Sequence, residues 1–136
     1  MKKLIFATTD YSNLNTNIGL LIFRLFIGLT MAFAHGLGKI PPSEGFMGYV
    51  ASLGMPGILA WGAALSEFLG GIFVALGLGT RLSSLSIAFT MFIAAFMAHA
   101  QDPWSKKEFA LLYMFSAIML AFVGPGRFSV DRFIKK

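Results

Sequence analysis

Four long apolar runs constrain the fold of this chain more than any other feature. They cover residues 18–37, 58–78, 82–100 and 109–123, with short polar connections between them. About 20 helical residues cross the hydrocarbon core of a bilayer, because each adds about 1.5 Å. The chain is 57% hydrophobic and only 12% charged, whereas roughly a quarter of a soluble domain is charged. We therefore predict an all-α fold in which four transmembrane helices form one membrane domain over residues 1–136.

The connection after the first run predicts a further helix. Pro41 and Pro42 end the first spanning helix, and Ser43 can cap a new one. Apolar residues then recur at helical spacing, at Phe46, Met47, Val50 and Leu53. This spacing predicts a short amphipathic helix that lies on the membrane surface between the first two spans.

The two ends of the chain carry most of its positive charge. The segment Met1–Ala7 begins like a signal peptide, but its apolar part of four residues is below the roughly 7–15 that a signal core needs. We expect it to be an N-terminal segment of the mature protein, near the membrane interface. An even number of spans places both ends on one side. That side has seven basic residues outside the spans, at Lys2, Lys3, Arg81, Arg127, Arg132, Lys135 and Lys136, and the other side has three, at Lys39, Lys106 and Lys107.

This distribution indicates that both termini are cytoplasmic, because positive charge accumulates on the cytoplasmic side of membrane proteins. The net charge of +5 forms no contiguous basic patch, so we expect a lipid bilayer and no nucleic acid as partner. The chain has no cysteine, which excludes thiol–disulfide exchange and cysteine-bound clusters on it. It has no nucleotide-binding glycine motif and no c-type haem motif.

Ionisable side chains within the apolar runs are the candidate functional residues, because such groups are rare and costly at bilayer depth. Arg24 and Glu67 lie deep, at about 9 Å and 16–18 Å from the cytoplasmic boundary by helical rise. An outer cluster consists of His35, Lys39, His99 and Glu108. Small residues flank Glu67 on one helical face and predict close packing, so that Glu67 points into the bundle.

Helical phase places Arg24 and His35, eleven residues apart, on one face. The expected site is an outward-facing polar pocket with Glu67 as its floor. Structural roles remain open: Arg24 could pair with Glu67 or reach the interface, and Glu67 could be protonated. His35 and His99 could be ordinary interfacial residues, or could ligate a metal with Glu108 or a b-type haem. Since no compact metal motif occurs, we predict no metal.

The polar and glycine positions together resemble DoxX-type membrane proteins. The resemblance covers about residues 18–133. It rests on Arg24-Leu25-x-x-Gly28, His35-Gly36-x-x-Lys39, Leu53-Gly54-x-Pro56, Glu67-x-x-Gly70-Gly71, Gly77-x-x-Thr80-Arg81, Met91, His99, Glu108 and Gly124-Pro125-Gly126-Arg127-Phe128-Ser129-x-Asp131.

The resemblance implies a four-helix protein of a prokaryotic cytoplasmic membrane. Some members are similar to the small membrane subunit of a thiosulfate:quinone oxidoreductase. Our preferred hypothesis is a subunit of a membrane oxidoreductase system, with a partner subunit or as a homo-oligomer, that binds a quinone or another small amphiphile. The expected ligand-binding residues are Arg24, His35, Lys39, Glu67, His99 and Glu108, and Glu67 would also be catalytic as a proton donor or acceptor.

Two other classes of function remain open at the level of the sequence. The same charged residues could line the path of a small-solute or proton transporter. Alternatively, the protein could be a structural membrane scaffold whose buried charges only fix the register of its helices.

Overall fold

A computed structural model describes residues 11–134, and all regular secondary structure among them is helical. The helices are α1 (Leu14–Thr30), α2 (Glu44–Ser52), α3 (Leu59–Leu76), α4 (Thr80–Ile93), α5 (Trp104–Val123) and α6 (Val130–Ile134). α1 continues as a π-helical segment, Met31–Gly36, and a 3₁₀ turn, Leu37–Lys39, and α4 continues as a π-helical segment, Ala94–Ala98. The all-α prediction is confirmed. The expected N-terminal segment, Met1–Ala7, lies outside the described residues.

The first helix begins four residues earlier than the apolar run. Asn13 has an extended backbone, and its side-chain oxygen accepts a hydrogen bond from the backbone N–H of Asn15 at 2.8 Å. Such a cap satisfies one of the free N–H groups at a helix start, so helix formation extends to Leu14. The helical path then ends at Lys39, just before the two prolines.

Glycines bring α1 and α3 into backbone contact. A Cβ atom added to Gly71 would lie 2.7 Å from the carbonyl oxygen of Gly28 and 2.8 Å from the nitrogen of Ala32. A real side chain does not tolerate such distances, so glycine allows this separation of the two helices. The small-residue face of α3 therefore packs as predicted, and Gly71 meets Gly28 near the C-terminal end of α1.

The fourth helix begins at Thr80 because a residue far along the chain caps it. The carboxylate of Asp131 accepts hydrogen bonds from the backbone N–H groups of Gly79, at 2.7 Å, and Thr80, at 3.2 Å. The connection between the second and third apolar runs, residues 79–81, is therefore shorter in the structure, because residues 80 and 81 belong to α4. Arg81 is the second residue of α4, and its Nη1 donates to the carbonyl oxygen of Ala121 at 2.7 Å.

Among residues 11–134, three helical stretches are long and apolar enough to cross a membrane: Leu14–Lys39, Leu59–Leu76 and Thr80–Ala98. α5 has 20 residues, but its first two turns contain Lys106, Lys107 and Glu108. The apolar part that begins at Phe109 is therefore shorter than the helix.

The residues after α5 fold back against the bundle. Pro125, Ser129 and Asp131 are buried, although this end of the chain also carries four basic residues, Arg127, Arg132, Lys135 and Lys136. The main core, by contrast, lies between the long helices and includes Met31, Ile87, Met91, Met114 and Leu120. Large apolar side chains on the outer faces remain exposed along the helices, as lipid contact requires.

Candidate functional site

A cleft of about 580 Å³ lies between α3 and α4 and is covered by α2. Its walls are mostly apolar. The lining residues are Lys39, Phe46, Tyr49, Val50, Leu53, Met55, Leu59, Gly62, Ala63, Glu67, Ser86, Phe89, Thr90, Ile93, Ala94, Ala98 and His99. A cavity of this size with few polar groups suits a small ligand.

An ion pair forms the principal polar feature of the cleft. The Nζ atom of Lys39 lies 2.7 Å from Oε1 and 2.6 Å from Oε2 of Glu67. Glu67 is only 2% exposed, whereas the Lys39 side chain is 34% exposed. Glu67 is therefore buried in the protein, as predicted, and Lys39 is the more exposed member of the pair.

Two hydroxyl groups from α4 add further hydrogen-bonding capacity. Ser86 donates to the hydroxyl oxygen of Ser66 at 2.8 Å, which holds α4 against α3. Thr90 donates to the carbonyl oxygen of Ser86 at 3.1 Å. Both hydroxyl oxygens retain lone pairs, so these residues can accept hydrogen bonds within an otherwise apolar wall.

His99 also lines the cleft and is oriented by Asp102. Its Nδ1 lies 2.7 Å from Oδ2 of Asp102, which leaves Nε2 as the other nitrogen for hydrogen bonding. This contact with His99 holds the pKa of the Asp102 carboxyl below its usual range. Nearby, the Tyr49 hydroxyl donates to the carbonyl oxygen of Ala98 at 3.1 Å and joins α2 to the end of the α4 stretch.

Arg24 lies at the other end of the bundle and does not line the cleft. Its guanidinium donates to the carbonyl oxygens of Ala75 at 3.3 Å, Phe128 at 2.6 Å, and Pro125. The suggested pairing of Arg24 with Glu67 is wrong. Ala75 is eight residues from Glu67 on α3, a separation of about 12 Å along the helix.

The predicted outer cluster is only partly assembled. Lys39 and His99 line the cleft, but His35 is exposed and its ring contacts that of Tyr113 edge-on, with 5.3 Å between centroids. Glu108 is exposed in the second turn of α5 and does not line the cleft. Arg24 and His35 have different surroundings, since Arg24 is buried against α3 and the C-terminal segment whereas His35 is exposed and contacts α5. The π-helical segment Met31–Gly36 lies between them, so the phase of a regular α-helix does not hold up to His35.

The two histidines and Glu108 do not converge on one point. Within residues 11–134, no three His, Asp or Glu side chains are arranged to hold a metal ion. The hypothesis that His35, His99 and Glu108 share a metal is therefore not supported by their positions, since His35 contacts α5 and His99 lines the cleft.

Sequence reasoning missed three contributors to the cleft: Ser86, Thr90 and Tyr49. A detectable signal existed for the first two, because hydroxyl side chains within an apolar run often hydrogen-bond between helices. Asp102 follows His99 by three residues, and that spacing also suggests contact. Tyr49 gave no such signal, since its partner is a backbone carbonyl far along the chain.

Long apolar helices, apolar outer faces and a covered cleft between two helices define a small helical membrane protein. Comparison with known families agrees with this class. The DoxX family model matches residues 19–100. The chain belongs to the DoxX family.

Two relatives match along nearly the whole chain. A Bacillus subtilis (strain 168) protein named "Putative oxidoreductase CatD" is 32% identical over 125 residues, which cover 91% of this chain and 92% of the relative. An Escherichia coli (strain K12) protein named "Inner membrane protein YqjF" is 29% identical over 126 residues, which cover 88% of this chain and 95% of the relative. No solved structure matches the chain.

Proposed function

We propose that this DoxX-type membrane protein is a subunit of a membrane oxidoreductase system and that it binds a quinone or a similar small amphiphile in the cleft. The observation that carries the proposal is the Lys39–Glu67 ion pair at the wall of an apolar cavity of about 580 Å³. Apolar walls accommodate a hydrophobic ring and tail, while a few polar groups fix the orientation of the head. One relative's name, which includes the word oxidoreductase, favours the same class.

In this proposal Glu67 and Lys39 are the acid–base groups of the site. Reduction of a quinone takes up protons, and a carboxylate held beside an ammonium can relay one to a bound head group. His99, oriented by Asp102, is a second candidate for proton exchange with the ligand. The chain supplies binding and proton transfer, and the electrons come from a partner subunit.

The proposal includes a topology. α5 is the fourth membrane span, with Lys106 and Lys107 at one boundary, and both termini face the cytoplasm of a prokaryotic cell. The excess of basic residues near the chain ends supports this orientation. α2 lies at the outer surface as an amphipathic cover, and the exposed apolar faces of the bundle contact lipid, a partner subunit or a second copy.

A binding measurement tests the proposed function. Purified protein in lipid nanodiscs is titrated with a short-chain quinone analogue, and the same titration is made with Glu67→Gln. We expect the substitution to weaken binding about tenfold, equivalent to about 1.4 kcal/mol, because it removes the charged partner that positions Lys39. Glu44→Gln is the matched control, since Glu44 is exposed on α2 and does not line the cleft.

Four outcomes are informative. Binding that depends on Glu67 but not on Glu44 supports the proposal. Absence of binding by the wild-type protein contradicts it, as does equal binding by both variants. Solute or proton flux through liposomes that is lost in Glu67→Gln, without quinone binding, would favour the transporter instead.

A further inference from the structure

Exposed lining residues mark where the cleft reaches the surface of the molecule. Tyr49 is exposed on α2, and four further lining residues are exposed on α3 and α4: Leu59, Gly62, Ser86 and Phe89. These four border an opening between α3 and α4. Phe89 is 66% exposed. Ser86 and Phe89 are the seventh and tenth of the 19 residues in the stretch Thr80–Ala98, so the opening lies near the middle of a spanning helix. At that depth the surrounding medium is hydrocarbon and not water.

The polar groups beside this opening carry no net charge. Lys39 and Glu67 neutralise each other, and both carboxylate oxygens accept from the same ammonium group. An ammonium has three N–H donors. Since two are directed to Glu67, one remains for a ligand atom that accepts a hydrogen bond.

This arrangement disfavours charged ligands. An anionic head group that accepted from the remaining N–H would add a second negative charge beside the Glu67 carboxylate, which is 2% exposed. A cationic head group would add a second positive charge beside Lys39. Either ligand leaves one charge without a partner in a region of low dielectric, which is strongly unfavourable. An uncharged carbonyl oxygen accepts the same hydrogen bond and adds no charge.

We infer that the ligand enters the cleft laterally from the bilayer and that it is an uncharged amphiphile with a carbonyl head. The carbonyl accepts a hydrogen bond from Lys39, and the tail leaves between α3 and α4, past Gly62 and Phe89, into the hydrocarbon. This inference rests on the proposed function, since it specifies the charge and the route of the ligand that binds there.

Charge selectivity is tested with three probes that share one tail. A decyl-substituted benzoquinone, decanoate and decylammonium are titrated against the wild-type protein in nanodiscs of zwitterionic lipid. We expect the quinone to bind at least tenfold more tightly than either ion, after correction for partition into the lipid. Equal or tighter binding of decanoate at the same cleft would overturn the inference about charge.

The lateral route is tested with a pair of glycine substitutions. Gly62 and Gly19 are both exposed helical glycines, and a Cβ atom added to either meets no atom within 4 Å. Gly62→Leu places a side chain in the opening, whereas Gly19→Leu places one on α1, away from the cleft. We expect Gly62→Leu to weaken quinone binding at least tenfold and Gly19→Leu to leave it unchanged. Both variants should unfold at or above the wild-type temperature, because leucine favours a helix more than glycine does.

The failures of the two proposals are distinguishable. If Glu67→Gln weakens quinone binding but Gly62→Leu does not, the proposed function stands and the lateral route is wrong. If none of the three probes binds the wild-type protein, the proposed function and this inference both fail. A tenfold loss with Gly62→Leu at unchanged thermal stability supports both.

Discussion

Arg24 and Glu67 are both buried charged side chains, but their hydrogen bonds are satisfied in different ways. Arg24 is 1% exposed and donates to three backbone carbonyls from α3 and the C-terminal segment. Glu67 is buried to a similar degree, but its partner is a single side chain, Lys39, which borders an open cleft.

The space around these two charges also differs. A Cβ atom added to Gly77 would lie 3.0 Å from Cζ of Arg24, so Gly77 packs directly against the guanidinium, whose N–H groups are directed to backbone carbonyls. Beside Lys39 there is a cavity of about 580 Å³. A buried charge surrounded by backbone carbonyls stabilises the fold, whereas a buried charge whose mobile partner borders a cavity can respond to a ligand.

The largest expected effect on stability is that of removing Arg24. Arg24→Ala leaves the carbonyl oxygens of Ala75, Pro125 and Phe128 without their donor, and it frees the C-terminal segment. We expect a loss of about 3 kcal/mol or more in the free energy of unfolding, measured by denaturant titration in detergent micelles. Arg127→Ala is the control, because residue 127 is exposed. A change below about 1 kcal/mol for Arg24→Ala would contradict its structural role.

A smaller effect on stability is expected when both charges of the Lys39–Glu67 pair are removed. In the double variant Lys39→Met and Glu67→Gln, no unpaired charge is left behind, and buried ion pairs replaced in this way often change stability little. We expect a change of about 1 kcal/mol or less in the free energy of unfolding together with loss of quinone binding. Destabilisation as large as that of Arg24→Ala would show that the Lys39–Glu67 pair stabilises the fold as strongly as Arg24 does.

The smallest effect concerns the rim of the cleft and depends on pH. Because the contact with His99 lowers the pKa of Asp102 in the folded protein, the ionised carboxylate stabilises the fold at pH values above its ordinary pKa. This contribution is lost as the pH falls through the folded pKa. Asp102→Asn should therefore show a shallower fall in unfolding temperature on acidification than the wild-type protein. Identical profiles would remove Asp102 as a contributor to stability.

The long helices could be predicted from the sequence because hydrophobicity over about 20 residues depends on local composition alone. The burial of Glu67 could also be predicted, since the small residues around it mark a packed face. The positions of His35 and Arg24 relative to each other could not, because the π-helical segment between them alters the phase that a regular helix would give.

The partners of the charged residues were the least accessible to prediction. Lys39 and Glu67 are 28 residues apart, and Arg24 and Phe128 are 104 apart. Such contacts depend on how the helices are arranged, which the hydrophobic pattern does not specify. The capping role of Asp131 could not be predicted either, because a carboxylate near the end of a chain ordinarily indicates a solvated tail.

The cap that Asp131 provides for α4 has a consequence for biosynthesis. Thr80 leaves the ribosome 51 residues before Asp131, an interval of about 3–10 s at ordinary rates of translation. During that time α4 enters the membrane without the carboxylate that later binds its first N–H groups. Insertion of the helices and closure of the bundle are therefore separate events, and the second is completed only when the C-terminal segment has been synthesised.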